Sequence, residues 1–125
     1  MTLVAVSRTV GVAMDAAKEL AEQHGVDAEV INLRTLRPLD RDAIFESVMK
    51  THYLVTVEGG WPQYGIGAEI AASVVEGPAF DYLDGPILRV SSADVPTPYC
   101  DSLEQLSIPQ SHNVVNTVLR LLPPA

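Results

Sequence analysis

The stretch EGGWPQYGIGAE, residues 58–69, comes nearest to ligand chemistry in this sequence. Glycines ahead of a helical segment open backbone N–H groups to an anion, and a helix N-terminus favours negative charge. The pattern is incomplete. Gly65-x-Gly67 lacks the third glycine of a dinucleotide fingerprint, and no Gly-Lys-Ser/Thr follows to make a phosphate loop. Glu58 and Glu69 flank the stretch and would repel an anion. Two other uses remain for it. The glycines permit turns and close packing, and Trp61 and Tyr64, on a stiff glycine–proline loop, are residue types that anchor protein interfaces. Elsewhere the chemistry is thinner. Cys100 has no second cysteine, and Asp101 beside it is expected to raise the thiol pKa. His24, His52 and His112 are too widely spaced for a local metal motif and read as helix-end or surface histidines. Ser7 lies outside any G-x-S-x-G turn, and Asp40 with Asp42 fits a helix start. No catalytic, cofactor-binding or metal-binding residue is assigned from these patterns.

The elements that would position these residues alternate. Residues 2–7 form a short apolar run, a buried strand, followed by a helix that Thr9 can cap. That helix carries Val10, Ala13, Ala17, Leu20 and Ala21 on one face and stops at Gly25. Residues 27–33 read as a strand near a sheet edge. After the connection RTLRPLD, Asp40 caps a helix with Ile44, Phe45, Val48 and Met49 on one side. Residues 53–57 are the third strand, and the glycine-rich stretch leads into a helix presenting Ile66, Ile70, Ala71, Val74 and Val75. Residues 77–86 hold too many turn formers for a regular element, and Ile87 to Val90 make the fourth strand. The proline-rich region 91–110 reads as a long connection with one helical turn near Ser102 to Leu106. A last helix carries Val114, Val115, Val118, Leu119 and Leu122, ended by Pro123-Pro124.

Such alternation predicts a three-layer α/β/α domain over 1–125, with a mainly parallel four-stranded sheet in the order 2-1-3-4. The order reverses between the first and third strands, so a crevice is expected at their carboxyl ends, lined by Ser7-Arg8 and Glu58-Gly59-Gly60. Length and composition agree with one domain: 125 residues, 47% hydrophobic and 19% charged. The N-terminus lacks the pattern of a signal peptide, no apolar run suggests a membrane span, and one cysteine suits a reducing compartment. The net charge of −8 argues against nucleic acid and anionic membrane as partners. It is also lopsided. Residues 58–119 hold Glu58, Glu69, Glu76, Asp81, Asp84, Asp94, Asp101 and Glu104 against Arg89 alone. This half reads either as a solubilising surface or as a docking face for a basic partner.

Three segments, NLRTLRPLD, SVMKTHYLVTVEGGWPQYGIGAEIAASVVEGPAFDYLDGPILRV and ADVPTPYCDSLEQLSIPQ, carry a resemblance. From about Leu3 to about Leu121 the chain resembles the C-terminal, transketolase-like domain of the beta subunit of the pyruvate dehydrogenase first component. The branched-chain 2-oxo acid dehydrogenase beta subunit is the nearest alternative, and a small-anion-binding regulatory module is an alternative of another class. The resemblance implies a parent enzyme that uses thiamine diphosphate and magnesium in an α2β2 heterotetramer to decarboxylate pyruvate and acetylate the lipoyl group of its acetyltransferase core. It implies that the cofactor-binding and catalytic residues lie outside this chain, so that the 125 residues alone are inactive and bind no cofactor. It implies contacts with the alpha subunit and a second beta subunit, for which Glu58, Gly59, Gly60, Trp61, Pro62 and Tyr64 are the candidates. It further implies docking of the basic peripheral subunit-binding domain of dihydrolipoyl acetyltransferase, with Asp84 of YLDGP as the candidate residue. In the family an antiparallel strand precedes the first strand here and borders the second, and its absence would leave the 27–33 edge unpaired. Cys100 stands where the family commonly has a small residue, and the ending Leu121 to Ala125 departs from the usual tail. A mitochondrial matrix location is implied, with a bacterial cytoplasm as the alternative.

Overall fold

The computed structural model describes residues 1–122; the expectations placed on Pro123, Pro124 and Ala125 lie outside the described residues. Four strands, β1 (Thr2–Ala5), β2 (Glu29–Asn32), β3 (Leu54–Val57) and β4 (Leu88–Val90), form one sheet in the order β2-β1-β3-β4. All three pairings are parallel, with Leu3 opposite both Val30 and Val55, and Val55 opposite Leu88. The expected architecture and strand order are those found. β2 is an edge strand among the described residues, and no helix there is long and apolar enough to cross a membrane.

The central strands are buried on both faces because their side chains alternate between two apolar layers. Leu3, Ala5, Val55 and Val57 pack with α1 (Thr9–His24) and α5 (Ser111–Leu121), while Val4 and Leu54 pack with α2 (Arg41–Thr51) and α3 (Ile66–Glu76). A short α4 (Asp101–Ser107) and a 3-10 turn (Phe80–Tyr82) complete the chain. The expected single turn near Ser102 is therefore a seven-residue helix. Helix phases needed adjustment. In α1 the buried line is Thr9, Ala13, Ala16 and Leu20, with Ala21 outside it, and in α3 Val75 is exposed.

The ends of the helices show which local signals held. Gly25 stops α1 in the left-handed conformation at φ 64°, and the Asp40 carboxylate accepts from Ala43 N at 3.1 Å to cap α2. Thr9, expected as the cap of α1, is instead its first helical residue; Arg8 stands at the cap with no side-chain bond. The Thr9 hydroxyl is needed elsewhere. Its Oγ1 lies 2.8 Å from Val6 O and 2.9 Å from Val57 O, tying the ends of β1 and β3. α5 starts with a capping box made by Gln110 and Asn113, in which Gln110 N donates to Asn113 Oδ1 at 2.9 Å.

Candidate functional site

Parallel strands put every loop that follows a strand at one end of the sheet and every loop that precedes one at the other. The residues singled out from sequence divide between these ends. Ser7, Arg8 and the 58–65 loop lie at the carboxyl end, and Asp84 lies at the amino end, just before β4. The acidic half is split in the same way. Glu76, Asp81 and Asp84 follow the descent of α3 to the amino end, whereas Asp94, Asp101 and Glu104 come after β4 at the carboxyl end. Glu58 is only 3% exposed, and Glu69 meets Arg41 Nη2 at 2.8 Å. The acids therefore make no single face.

At the carboxyl end the expected crevice is filled. The buried Thr9 side chain bridges the ends of β1 and β3, where a ligand would enter. Glu58 then turns inward, and its Oε1 accepts from Gly67 N at 3.2 Å at the start of α3. A carboxylate already takes the Gly67 N–H, one of the donors that would greet a phosphate. This arrangement argues against the regulatory-anion reading at that place. The loop between is stiff. Ser92 N donates to Gly60 O at 3.0 Å and Ser92 Oγ to Gly59 O at 2.8 Å, while Arg89 Nη1 donates to Pro62 O at 2.7 Å. Trp61 Nε1 donates to Val95 O at 2.9 Å. Tyr64 is held at φ 63°, a left-handed conformation that costs a non-glycine residue about 1 kcal/mol, with its side chain wholly in solvent. Strain of this kind concentrates at functional positions.

Gly65 and Gly67 are glycines for packing. A Cβ on Gly65 would stand 2.5 Å from Glu58 Oε2, and one on Gly67 would stand 2.6 Å from Thr56 Oγ1. Val95, whose carbonyl accepts from Trp61, is exposed, and so are Tyr99, Leu103 and Leu106 further along the chain. The sequence reading missed them because it took 91–110 as a connection; PTPY and the apolar residues of α4 were the available signal.

At the amino end the Asp84 side chain is 62% exposed. It borders a groove of about 830 Å³ whose walls include Ala71, Val75, Phe80, Leu83 and Ile87. Two of these, Val75 and Phe80, are about half exposed, so an apolar surface stands open beside a free carboxylate. His52 is the neighbour that sequence reasoning did not connect with it: Asp84 N donates to His52 O at 3.0 Å, and the two side chains come within 4.0 Å.

The remaining candidates stay apart. His24 ends α1, His52 caps the C-terminus of α2 and His112 lies in the first turn of α5. Among the described residues no three His, Cys, Asp or Glu side chains gather to hold a metal ion. Ser7, at φ 55°, is exposed. The Cys100 thiol departs from expectation: it is pushed down, first by the Ser102 hydroxyl at 3.3 Å, then by the backbone of Leu103 and Ser102. Hydrogen bonds to the thiolate at the start of α4 outweigh the desolvation that opposes them.

Comparison with known proteins agrees with this geometry. Residues 1–114 match the family described as Transketolase, C-terminal domain. Over 122 residues, 98% of the chain, it is 55% identical to Pyruvate dehydrogenase E1 component subunit beta, mitochondrial, of Rattus norvegicus and 53% identical to that of Homo sapiens. The Saccharomyces cerevisiae protein of the same name is 49% identical. The chain spans 34% of the rat and human proteins, about a third of their length. A solved structure described as "Split gene transketolase, inactive beta4 tetramer" superposes with a TM-score of 0.81 at 29% identity, covering 97% of this chain and 37% of that one. With the strand order, the two-sided core and the match over residues 1–114 in agreement, the chain belongs to the transketolase C-terminal domain family.

Proposed function

We propose that this chain is the C-terminal assembly domain of a pyruvate dehydrogenase beta subunit, acting in the mitochondrial matrix through its surfaces. The observation that carries the reading is the 55% identity to a mitochondrial beta subunit across 98% of the chain. In the parent enzyme, thiamine diphosphate with magnesium would serve the decarboxylation of pyruvate. The residues here do not fit that group, because Glu58 already occupies the glycine-flanked N-terminus of α3 and would repel a diphosphate there. Cofactor binding and catalysis are accordingly assigned to parts of the enzyme outside these residues.

The two ends of the sheet divide the assembly work. Gly59, Gly60, Trp61, Pro62 and Tyr64 form the contact with the alpha subunit and the second beta subunit of an α2β2 heterotetramer, whereas Glu58, a contact candidate from sequence, is buried and only braces the loop from inside. A pre-stiffened loop bearing Trp and Tyr loses little entropy on association and presents large apolar area. Asp84 and its groove receive the basic peripheral subunit-binding domain of dihydrolipoyl acetyltransferase. A free carboxylate beside apolar walls suits a partner carrying Lys or Arg next to aliphatic side chains.

The test compares complete heterotetramers with and without Asp84→Asn, titrated with the subunit-binding domain by calorimetry at low and moderate salt. Loss of one charge-assisted contact is expected to weaken binding at least about tenfold at low salt, and less at higher salt where screening already weakens it. Unchanged affinity would remove Asp84 from the docking site.

A further inference from the structure

We infer that His52 is a positioning residue for Asp84, an inference that rests on the docking role proposed for that carboxylate. Asp84 lies on a short stretch between the 3-10 turn and β4. One residue grips this stretch at two points. His52 Nδ1 lies 2.7 Å from Tyr82 O, and a carbonyl can only accept, so Nδ1 carries the proton. Two residues further on, Asp84 N donates to His52 O at 3.0 Å. The imidazole also lies over the Tyr82 ring, with centroids 6.5 Å apart and planes inclined by 26°.

The grip is effective because His52 itself is fixed. It caps α2 in the left-handed conformation at φ 66°, and its N–H donates to Val48 O at 2.8 Å. Buried Ile44 and Val48 lock that helix to the sheet. On the far side Gly85 is closely flanked: a Cβ there would come within 3.2 Å of Leu121 Cδ1 and 3.3 Å of Tyr53 Cε1. Asp84 thus lies between the bond to His52 and the closely flanked Gly85, at the mouth of the groove. Its Oδ2 is 4.0 Å from His52 Nδ1, close enough to feel the ring's polarity while most of the carboxylate faces solvent. A carboxylate ordered before its partner arrives gives up less freedom on pairing.

The left-handed backbone supplies a clean test. Asn and Gly both tolerate that conformation, so His52→Asn and His52→Gly add no new strain. Asn restores an N–H where Nδ1–H stood, whereas Gly removes donor and ring together. In the complete heterotetramer His52→Gly is expected to weaken the subunit-binding domain about fivefold, and His52→Asn to stay within about twofold of the parent. Added to Asp84→Asn, the Gly substitution is expected to change nothing further, since the two act through one contact. Hydrogen exchange gives a readout independent of docking: residues 80–86 should exchange faster in the Gly variant and not in the Asn variant. The inference is overturned if Asp84→Asn weakens binding while His52→Gly does not, if Gly and Asn weaken it equally, or if exchange over 80–86 is the same in all three proteins. If exchange responds as expected but Asp84→Asn binds normally, the clamp stands and the docking role of Asp84 falls.

Discussion

Glu58 and Asp84 sit at opposite ends of the same sheet and use the same charge in opposite ways. At the carboxyl end Glu58 is buried, accepts from the backbone of Gly67 and has a glycine-lined space shaped around it. At the amino end Asp84 is largely solvated, meets His52 Nδ1 only at 4.0 Å and borders an open apolar groove. A net-charge count treats the two alike. Burial separates them: a desolvated carboxylate must be satisfied by fixed donors and becomes part of the fold, while a solvated one remains available to a partner. Glu29 stands between these extremes. Its side chain is 40% exposed, and it accepts from Lys50 Nζ and Ser47 Oγ, each at 2.8 Å.

The comparison breaks most visibly at Gly67. Alanine is the better helix former by about 1 kcal/mol, so a glycine with free space around it would gain from Gly67→Ala. Here the new Cβ would stand 2.6 Å from Thr56 Oγ1 and 2.8 Å from Glu58 Oε1. Overpacking against a fixed carboxylate is expected to leave the variant about 2 kcal/mol less stable. Urea denaturation should show a lower midpoint with unchanged slope. A variant as stable as the parent would mean that Glu58 is free to move aside, and the carboxyl end would no longer differ in kind from the amino end.

Thr56 tests the same end with the opposite sign. Its hydroxyl is buried and has no hydrogen-bond partner among the described residues. Valine keeps the branched shape suited to β3 and removes the unsatisfied group. Thr56→Val is therefore expected to stabilise the chain by about 1 kcal/mol. Thermal and urea unfolding should move upward together. Destabilisation would instead indicate that the hydroxyl serves Glu58 in a way that geometry alone does not record.

These two residues also mark where sequence reading stops. The sheet order was legible because β-branched runs alternate with helices ended by Gly25 and begun by Asp40, all local signals. The inward turn of Glu58 was not, since an acid beside two glycines looks solvated until α3 folds back to offer the Gly67 N–H. Thr9 misled for a similar reason: a cap is local, whereas its bond to Val57 O spans 48 residues. The His52 grip on 82–84 depends on residues some thirty positions apart, and no periodicity encodes it. Asp84 could be named from resemblance, but its groove required the exposed side of α3, and periodicity places Val75 on the apolar face without showing that it stays exposed.

Glu29 predicts a smaller, pH-dependent effect. Its carboxyl is held below the usual carboxylate range, first by the Lys50 hydrogen bond and then by that from Ser47. As pH falls, the unfolded chain takes up this proton before the folded one does. The stability it contributes is thus whole above the ordinary carboxylate range and is lost as pH drops through the depressed folded value. Solvent screening at a half-exposed pair keeps the contribution small. Comparing urea midpoints of parent and Glu29→Gln, the difference should be present at neutral pH and close progressively in acid. A difference that is constant across that range would show that the pairing adds nothing through charge.

The smallest expected change in stability is at Asp84, and that smallness is what gives it meaning. Its carboxylate donates nothing to the core, and the backbone bond that holds the residue, from Asp84 N to His52 O, survives conversion to asparagine. Asp84→Asn should therefore leave unfolding within about 0.5 kcal/mol of the parent, as for surface sites generally. Gly67→Ala provides the scale: a side chain shaped by a buried carboxylate is costly to alter, and a solvated carboxylate is not. Should Asp84→Asn instead unfold the chain readily, the acid would be a structural partner of His52, and the two ends of the sheet would be using their carboxylates in the same way.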